Sequence, residues 1–154
     1  MSENLKLLKN GFTLLELLIV VAVIGVLAGF ILVSYPGAQK QARDSQRRSD
    51  IKQYQTLLES YSAINSDLYP SRTSNTRPDT LCPNPIGPTT CPRDPSTPTY
   101  EYYYRSNGSG GAANDATIYV IWSYQQKTSD YFIVCNSGRV GTSASAPASA
   151  NCPI

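Results

Sequence analysis

From Leu14 to Val33 the chain reads LLELLIVVAVIGVLAGFILV, twenty residues of which only Glu16 is charged. At 1.5 Å rise per residue such a helix spans about 30 Å, the thickness of a bilayer's hydrocarbon core. A secretory signal has a shorter apolar region followed by a small-residue cleavage site. The sequence after this run, SYPGAQKQARD, offers little of that kind, so a membrane-spanning helix is expected. Glu16 then needs a reason, because a charge in hydrocarbon costs roughly 2.5–3.5 kcal/mol on insertion scales. A Glu snorkelling to the head groups at the membrane edge is the simplest one.

Behind the run the period changes. Apolar residues fall at Ile51, Tyr54, Leu57, Leu58, Tyr61 and Ile64, and the 51, 54, 58, 61 spacing marks one face of an amphipathic helix, with Leu68 on the same seam. Pro36-Gly37 is where a helix would kink or break. The next Pro is Pro70, so one helix is expected from about Thr13 to Ile64. Arg43, Asp44, Arg47, Arg48, Asp50 and Lys52 are read as its solvated face. Residues 70–98 hold eight Pro, a density that predicts a loop without regular elements.

Strands are expected in 99–105, 117–125 and 129–135, rich in Tyr, Ile, Val and Trp. Short connections make them an antiparallel meander. In the middle strand Ile118, Val120, Trp122 and Tyr124 share one face, and Tyr119, Ile121 and Ser123 the other. One face should bury the helix stripe, and the other should meet solvent or neighbours. The fold class is therefore α+β: a long N-terminal helix packed on a small antiparallel sheet. The tail GTSASAPASANCPI is low in complexity and is expected to be floppy unless Cys152 ties it down.

Cys82, Cys91, Cys135 and Cys152 form no CxxC pair, which argues against a zinc ribbon. Three pairings into two disulfides are possible, and local order favours Cys82–Cys91 and Cys135–Cys152; the alternative is four free thiols in the cytosol. The chain has no His, which removes Ser-His-Asp and Cys-His catalysis and His-ligated zinc. No paired-carboxylate motif replaces them, so no enzyme is expected. The formal charge of +2 gives no case for nucleic acid. Ser, Asp and Asn around 106–115 and 128–130 could ligate Ca²⁺ through oxygen, but Asp115 and Asp130 are a thin set, and a surface loop is the simpler reading; no cofactor is expected. Tyr100, Tyr102, Tyr103 and Tyr104 could stack on a ligand, with strand core and subunit contact the simpler use.

Residues 10–30, NGFTLLELLIVVAVIGVLAGF, resemble the type IV pilins and the pseudopilins of type II secretion. The family pattern is a short basic leader, then Gly, Phe, Thr, two apolar residues, Glu and a long apolar run, met here by Gly11, Phe12, Thr13, Leu14, Leu15 and Glu16. Residues 42–70 are similar to the helix of the pseudopilin-like and short-pilin branch. Beyond residue 70 only the order of helix, loop, small sheet and C-terminal disulfide loop is shared. The resemblance implies a leader over 1–11, an assembly and transmembrane helix over 12–35, and an extracytoplasmic pilin-like head over 36–154. Within that head lie the helix to about 65, the loop 70–98, strands in about 99–135 and the disulfide loop 135–152. It implies cleavage between Gly11 and Phe12 by a prepilin peptidase and N-methylation of Phe12. Glu16 would pair with the terminal amine of a neighbouring subunit. Gly25 and Gly29 form GxxxG, a close-packing pattern for membrane helices or the ordinary Gly content of one. The implied partners are other copies of the chain in a filament, the peptidase, an inner-membrane assembly platform and membrane lipid. The flanking charges conflict with this topology: Lys6 and Lys9 precede the run, and Lys40, Arg43, Arg47, Arg48 and Lys52 follow it, which the positive-inside rule would place in the cytoplasm. The leader pattern and the cysteines favour an extracytoplasmic head. Within the family a type IV pilus subunit is the main expectation, with a type II secretion pseudopilin (major, G-like) as the alternative. A single-pass anchored binding domain that never polymerises is the more distant one.

Overall fold

The computed structural model describes residues 12–111 and 113–154, with residues 31–34 described by backbone alone. The chain divides into two units, Met1–Ala38 and Gln39–Ile154, described separately below. The leader expected over 1–11 lies outside the described residues.

The first unit carries the start of α1 (Leu14–Ile64). Its first turn is closed by Thr13 and Glu16. The Glu16 carboxylate accepts from the Thr13 backbone N–H at 2.9 Å and from Thr13 Oγ1 at 3.0 Å. The Glu16 N–H in turn donates to Thr13 Oγ1 at 3.2 Å. This is a capping box, which satisfies two otherwise orphaned donors. Leu and Ala favour the helix, and Val and Ile are tolerated in it at a cost of tenths of a kcal/mol each. Pro36 lies inside α1. One helix runs through it, as expected from about Thr13 to Ile64, because Pro removes one i→i−4 bond while its neighbours keep theirs.

In the second unit α1 buries its seam: Ile51, Tyr54 and Leu58 are fully buried and Tyr61 nearly so. Ile64 is exposed, and the helix ends there. Ser66 and Asp67 then turn the chain through positive φ (58° and 59°), so Leu68 is only half-buried and Tyr69 takes over the seam. The Tyr69 hydroxyl donates back to Glu59 at 2.9 Å.

Four strands form one antiparallel sheet in the order β1-β2-β3-β4. They are β1 (Tyr103–Ser106), β2 (Tyr119–Gln125), β3 (Asp130–Cys135) and β4 (Val140–Ser143). The first three follow the expected meander. β1 starts later than residue 99 because turns hold the chain up to that point, with Thr97 N–H donating to Asp94 O at 3.0 Å and Thr99 N–H to Ser96 O at 2.9 Å. β4 runs into the tail that was expected to be floppy unless Cys152 ties it down, and the Cys135–Cys152 disulfide does tie it. Gly138, at φ 77°, makes the tight turn that folds β4 back on β3. Gly141 is in contact with the Ile154 side chain, which leaves little room for a Cβ.

The two faces of β2 serve two cores. Tyr119 and Ile121 join the helix seam, together with Tyr102 and Tyr104 from the β1 side and Phe132 and Val134 from β3. Val120 and Trp122 join Ile133 and Cys135 on the opposite face, where Cys152 and Ile154 pack. That face was expected to meet solvent or neighbours. Part of it is instead covered by the chain's own C-terminal segment. At roughly 1.5–3 kcal/mol per fully buried large apolar side chain, this second cluster is a real share of a small domain's stability. The loop 70–98 is also more ordered than its Pro content suggests. Pro78–Leu81 forms a 3₁₀ turn with Pro at its start, and Leu81 and Ile86 are buried in the helix-side core. Disulfides join Cys82 to Cys91 and Cys135 to Cys152.

Candidate functional site

The residues singled out at the N-terminus share one helical stretch. Phe12 is 86% exposed, and Gly11 lies outside the described residues. Every large apolar side chain of the first unit's described helix, from Leu14 to Phe30, is about half exposed or more. A helix apolar all round belongs against lipid or other helices. Among the described residues no single helix is long and apolar enough to cross a membrane. Leu14–Phe30 and Tyr35–Ile64 pass by length and composition only when taken together. Gly25 and Gly29 have open space where a Cβ would stand, so nothing among the described residues uses their smallness. Glu16, the one charge in this stretch, is turned onto its own helix cap.

The second constellation is the charged stretch of α1 in the second unit, which was read as solvated. Asp44 and Arg47 are buried. Arg47 is completely enclosed and forms a fork with Asp94 of the Pro-rich loop, Nε to Oδ2 at 2.7 Å and Nη2 to Oδ1 at 2.9 Å. Its Nη1 donates to Asp44 Oδ1 at 2.9 Å. Asp44 also accepts the backbone N–H groups of Gln126 and Lys127, both at 2.8 Å. One guanidinium thus ties α1 to the loop, and one carboxylate ties α1 to the β2–β3 turn. Arg43 and Arg48 reach Gln126 and Gln125 from the same helix. Asp50 accepts from the Tyr102 hydroxyl at 2.6 Å.

Burial on its own would lower the Arg47 pKa, but the hydrogen bond and charge of Asp94, then those of Asp44, outweigh it and raise it. Burial pushes the Asp50 carboxyl up; the Tyr102 hydrogen bond opposes this and the Asp94 charge adds to it. The reason for the error lies in the seam itself. Running backward from Ile51, the +3, +4 spacing continues through Arg47 to Asp44. Period alone would have placed both on the buried face, but residue type argued against it.

The remaining candidates are local. Asp115 accepts the Ser109 N–H through both oxygens, at 3.1 and 3.0 Å, and Thr128 donates to Asp130. Among the described residues no group of three or more His, Cys, Asp or Glu could hold a metal. Tyr102 and Tyr104 are core, while Tyr100 and Tyr103 line the outer sheet face.

The family model for the prokaryotic N-terminal methylation motif matches residues 7–32. The N-terminal segment thus carries a prokaryotic N-terminal methylation motif. The chain is 35% identical to type II secretion system core protein G of Vibrio cholerae serotype O1 over 63 residues, 41% of this chain and 42% of the relative. It is 33% identical to the protein of the same name from Pectobacterium carotovorum subsp. carotovorum, over 41% of this chain and 40% of the relative. The chain spans about two fifths of the length of the relatives it matches. No solved structure matches it.

Proposed function

We propose that the chain is a structural subunit of a type IV pilus-like filament and has no catalytic activity. The observation that carries this reading is the capped, all-round apolar helix from Leu14 to Phe30 inside the matched methylation motif. In the proposal a prepilin peptidase cuts between Gly11 and Phe12 and the new terminus is methylated. The helix over 12–35 sits in the inner membrane as a single-pass anchor, in contact with lipid, with the disulfide-bonded unit outside the cytoplasm. An assembly platform then extracts subunits into a filament of many copies, where Gly25 and Gly29 admit neighbouring helices closely. Glu16 pairs with the Phe12 amine of the adjoining subunit, which offsets the burial of its charge. The names of the two relatives favour a second reading, a pseudopilin of type II secretion. Deleting the gene separates the two, through loss of surface filaments or loss of protein secretion.

The capping box shapes the test. Glu16→Ala removes both the charge and the cap, whereas Glu16→Gln removes the charge alone, since Gln also completes a capping box. Sheared filament is compared with membrane-pool subunit for wild type and both variants. Both variants should insert and be cleaved, and both should fail to assemble. Normal filament yield from Glu16→Gln would rule out the pairing role. Absence of wild-type filament in cells with the complete assembly machinery would favour an anchored domain that does not polymerise.

A further inference from the structure

Cys152 and Ile154 cover only part of the outer sheet face. Beside them lies a cavity of about 340 Å³, lined by Tyr100, Glu101, Tyr103, Trp122, Tyr124 and Tyr131. That volume is in the range of small-ligand sites, ~300–1,000 Å³. Trp122 is the buried floor, and the four tyrosines are half-buried around it. Two cross-strand pairs, Tyr103 with Trp122 and Tyr124 with Tyr131, set the rings in place through the strand register. Tyr103 lies at 28° to Trp122 with centroids 5.8 Å apart, and Tyr131 stands edge-on to Tyr124 at 5.4 Å. Tyr100 is parallel to Tyr124 within 7°, at 5.3 Å. The Arg47 guanidinium lies 5.0 Å from the Tyr100 ring centre, and Arg47 is itself fixed by Asp94 and Asp44. The rings are therefore positioned before any ligand arrives.

The charge of the lining narrows the choice of ligand. Among the described residues its one ionisable side chain apart from the phenols is the Glu101 carboxylate, and no Lys or Arg lines the cavity. Glu101 is ion-paired with Arg77 at 3.2 Å, so its carboxylate is shared between that pair and the basin; Arg77 is not among the lining residues. A phosphate-bearing ligand would meet aromatic faces and a carboxylate with no cation to receive it. A stacked nucleic acid needs a positive groove alongside its aromatic rings. Aromatic faces carry negative potential and attract a cation held over them, and a cluster of such faces suits an ammonium wrapped in methyl groups. We propose that this basin binds a quaternary alkylammonium group, with the tyrosines and Trp122 packing on its methyl groups and Glu101 supplying the opposing charge. The site does not depend on the filament reading.

Trp122 is the only Trp of the chain, so its fluorescence reports on the floor directly. The full-length protein, in a non-ionic polyoxyethylene detergent that carries no ammonium group, is titrated with choline chloride against sodium chloride at equal ionic strength. Choline should give a saturable change in Trp122 emission. Its neutral carbon isostere, 3,3-dimethylbutanol, should bind about tenfold more weakly, because the cation–π attraction is lost while the shape is kept. Tyr124→Leu should weaken choline about tenfold, and Glu101→Gln should weaken it severalfold, each with an unchanged near-UV circular dichroism spectrum. A Tyr124→Leu protein with an altered spectrum is replaced by Tyr131→Leu, with the same expected loss. No saturable change up to about 100 mM choline, weaker than ~1.4 kcal/mol beyond a 1 M reference, would overturn the proposal. Equal binding of choline and its neutral isostere would overturn it as well.

Discussion

Replacing the buried Arg47 with Met should strongly destabilise the second unit. Arg47 is fully enclosed, with three short charge-assisted bonds to Asp94 and Asp44 and a longer one of 3.3 Å to Ser96 Oγ. Met has similar length and fills much of the space, so the loss is electrostatic rather than a cavity. Asp44 would keep its two backbone donors, and Asp94 would keep the Ser96 N–H at 2.8 Å. Both carboxylates would remain buried without a counter-charge. Removing one partner of a buried pair costs about 3–5 kcal/mol, a large part of a typical domain stability of about 5–15 kcal/mol. At about 4 °C per kcal/mol for a domain of this size, the midpoint should fall by ~12–20 °C. Arg47→Lys keeps the charge but not the fork, so it should fall in between. Thermal unfolding followed by near-UV circular dichroism reads both. In a double-mutant cycle Asp94→Asn should cost clearly less in the Arg47→Met background than in wild type, with a coupling of about 0.5–3 kcal/mol. A loss below about 1 kcal/mol for Arg47→Met, or strict additivity in the cycle, would show that the Arg47–Asp94 pair does not stabilise the unit.

Two further perturbations probe the same unit. Burial pushes the Asp79 carboxyl up, but the hydrogen bonds and charges of Arg77 and Arg93 outweigh this and hold its pKa below the ordinary value. The unfolded chain therefore binds a proton there more readily, and the stability contributed above the usual carboxyl range is lost as pH falls through the lowered folded value. Asp79→Asn should flatten the acid limb of the stability–pH profile, and an unchanged limb would contradict the assignment. Replacing Cys135 and Cys152 together by Ser opens a loop with a separation of 17 residues, worth about 3 kcal/mol in the chain-entropy model. It also frees Ile154 from the sheet, so urea midpoints should drop and Trp122 emission should shift red; a double variant as stable as wild type would count against that role.

The helix seam, the first three strands and the close pairs of cysteines could be read from period, composition and order. They depend on local rules that tertiary packing did not override. Asp44 and Arg47 could not be read the same way, because their partners, Asp94 and the 126–127 backbone, lie far along the chain and charged residues on a helix usually face water. The period was present at both positions, and their chemistry masked it. β4 was hidden for a different reason. Val140–Ser143 is short and mostly small or polar, so its strand character comes from pairing with β3 and from the Gly138 turn. The outer-face cover depends on where the Cys135–Cys152 link brings Ile154, a placement local sequence does not encode. At the N-terminus the Thr-x-x-Glu capping pattern was legible in residues 13–16. It was passed over because the resemblance already gave Glu16 an expected role in assembly.

Under the proposed function the chain enters its assembly as a processed prepilin. Mass spectrometry of the N-terminal peptide, taken from protein isolated from cells that carry the complete assembly machinery, tests it most directly. The mature chain is expected to begin at Phe12 and to carry one added methyl group on its terminal nitrogen. A chain that retains Met1, or one cut at any other position, would contradict it.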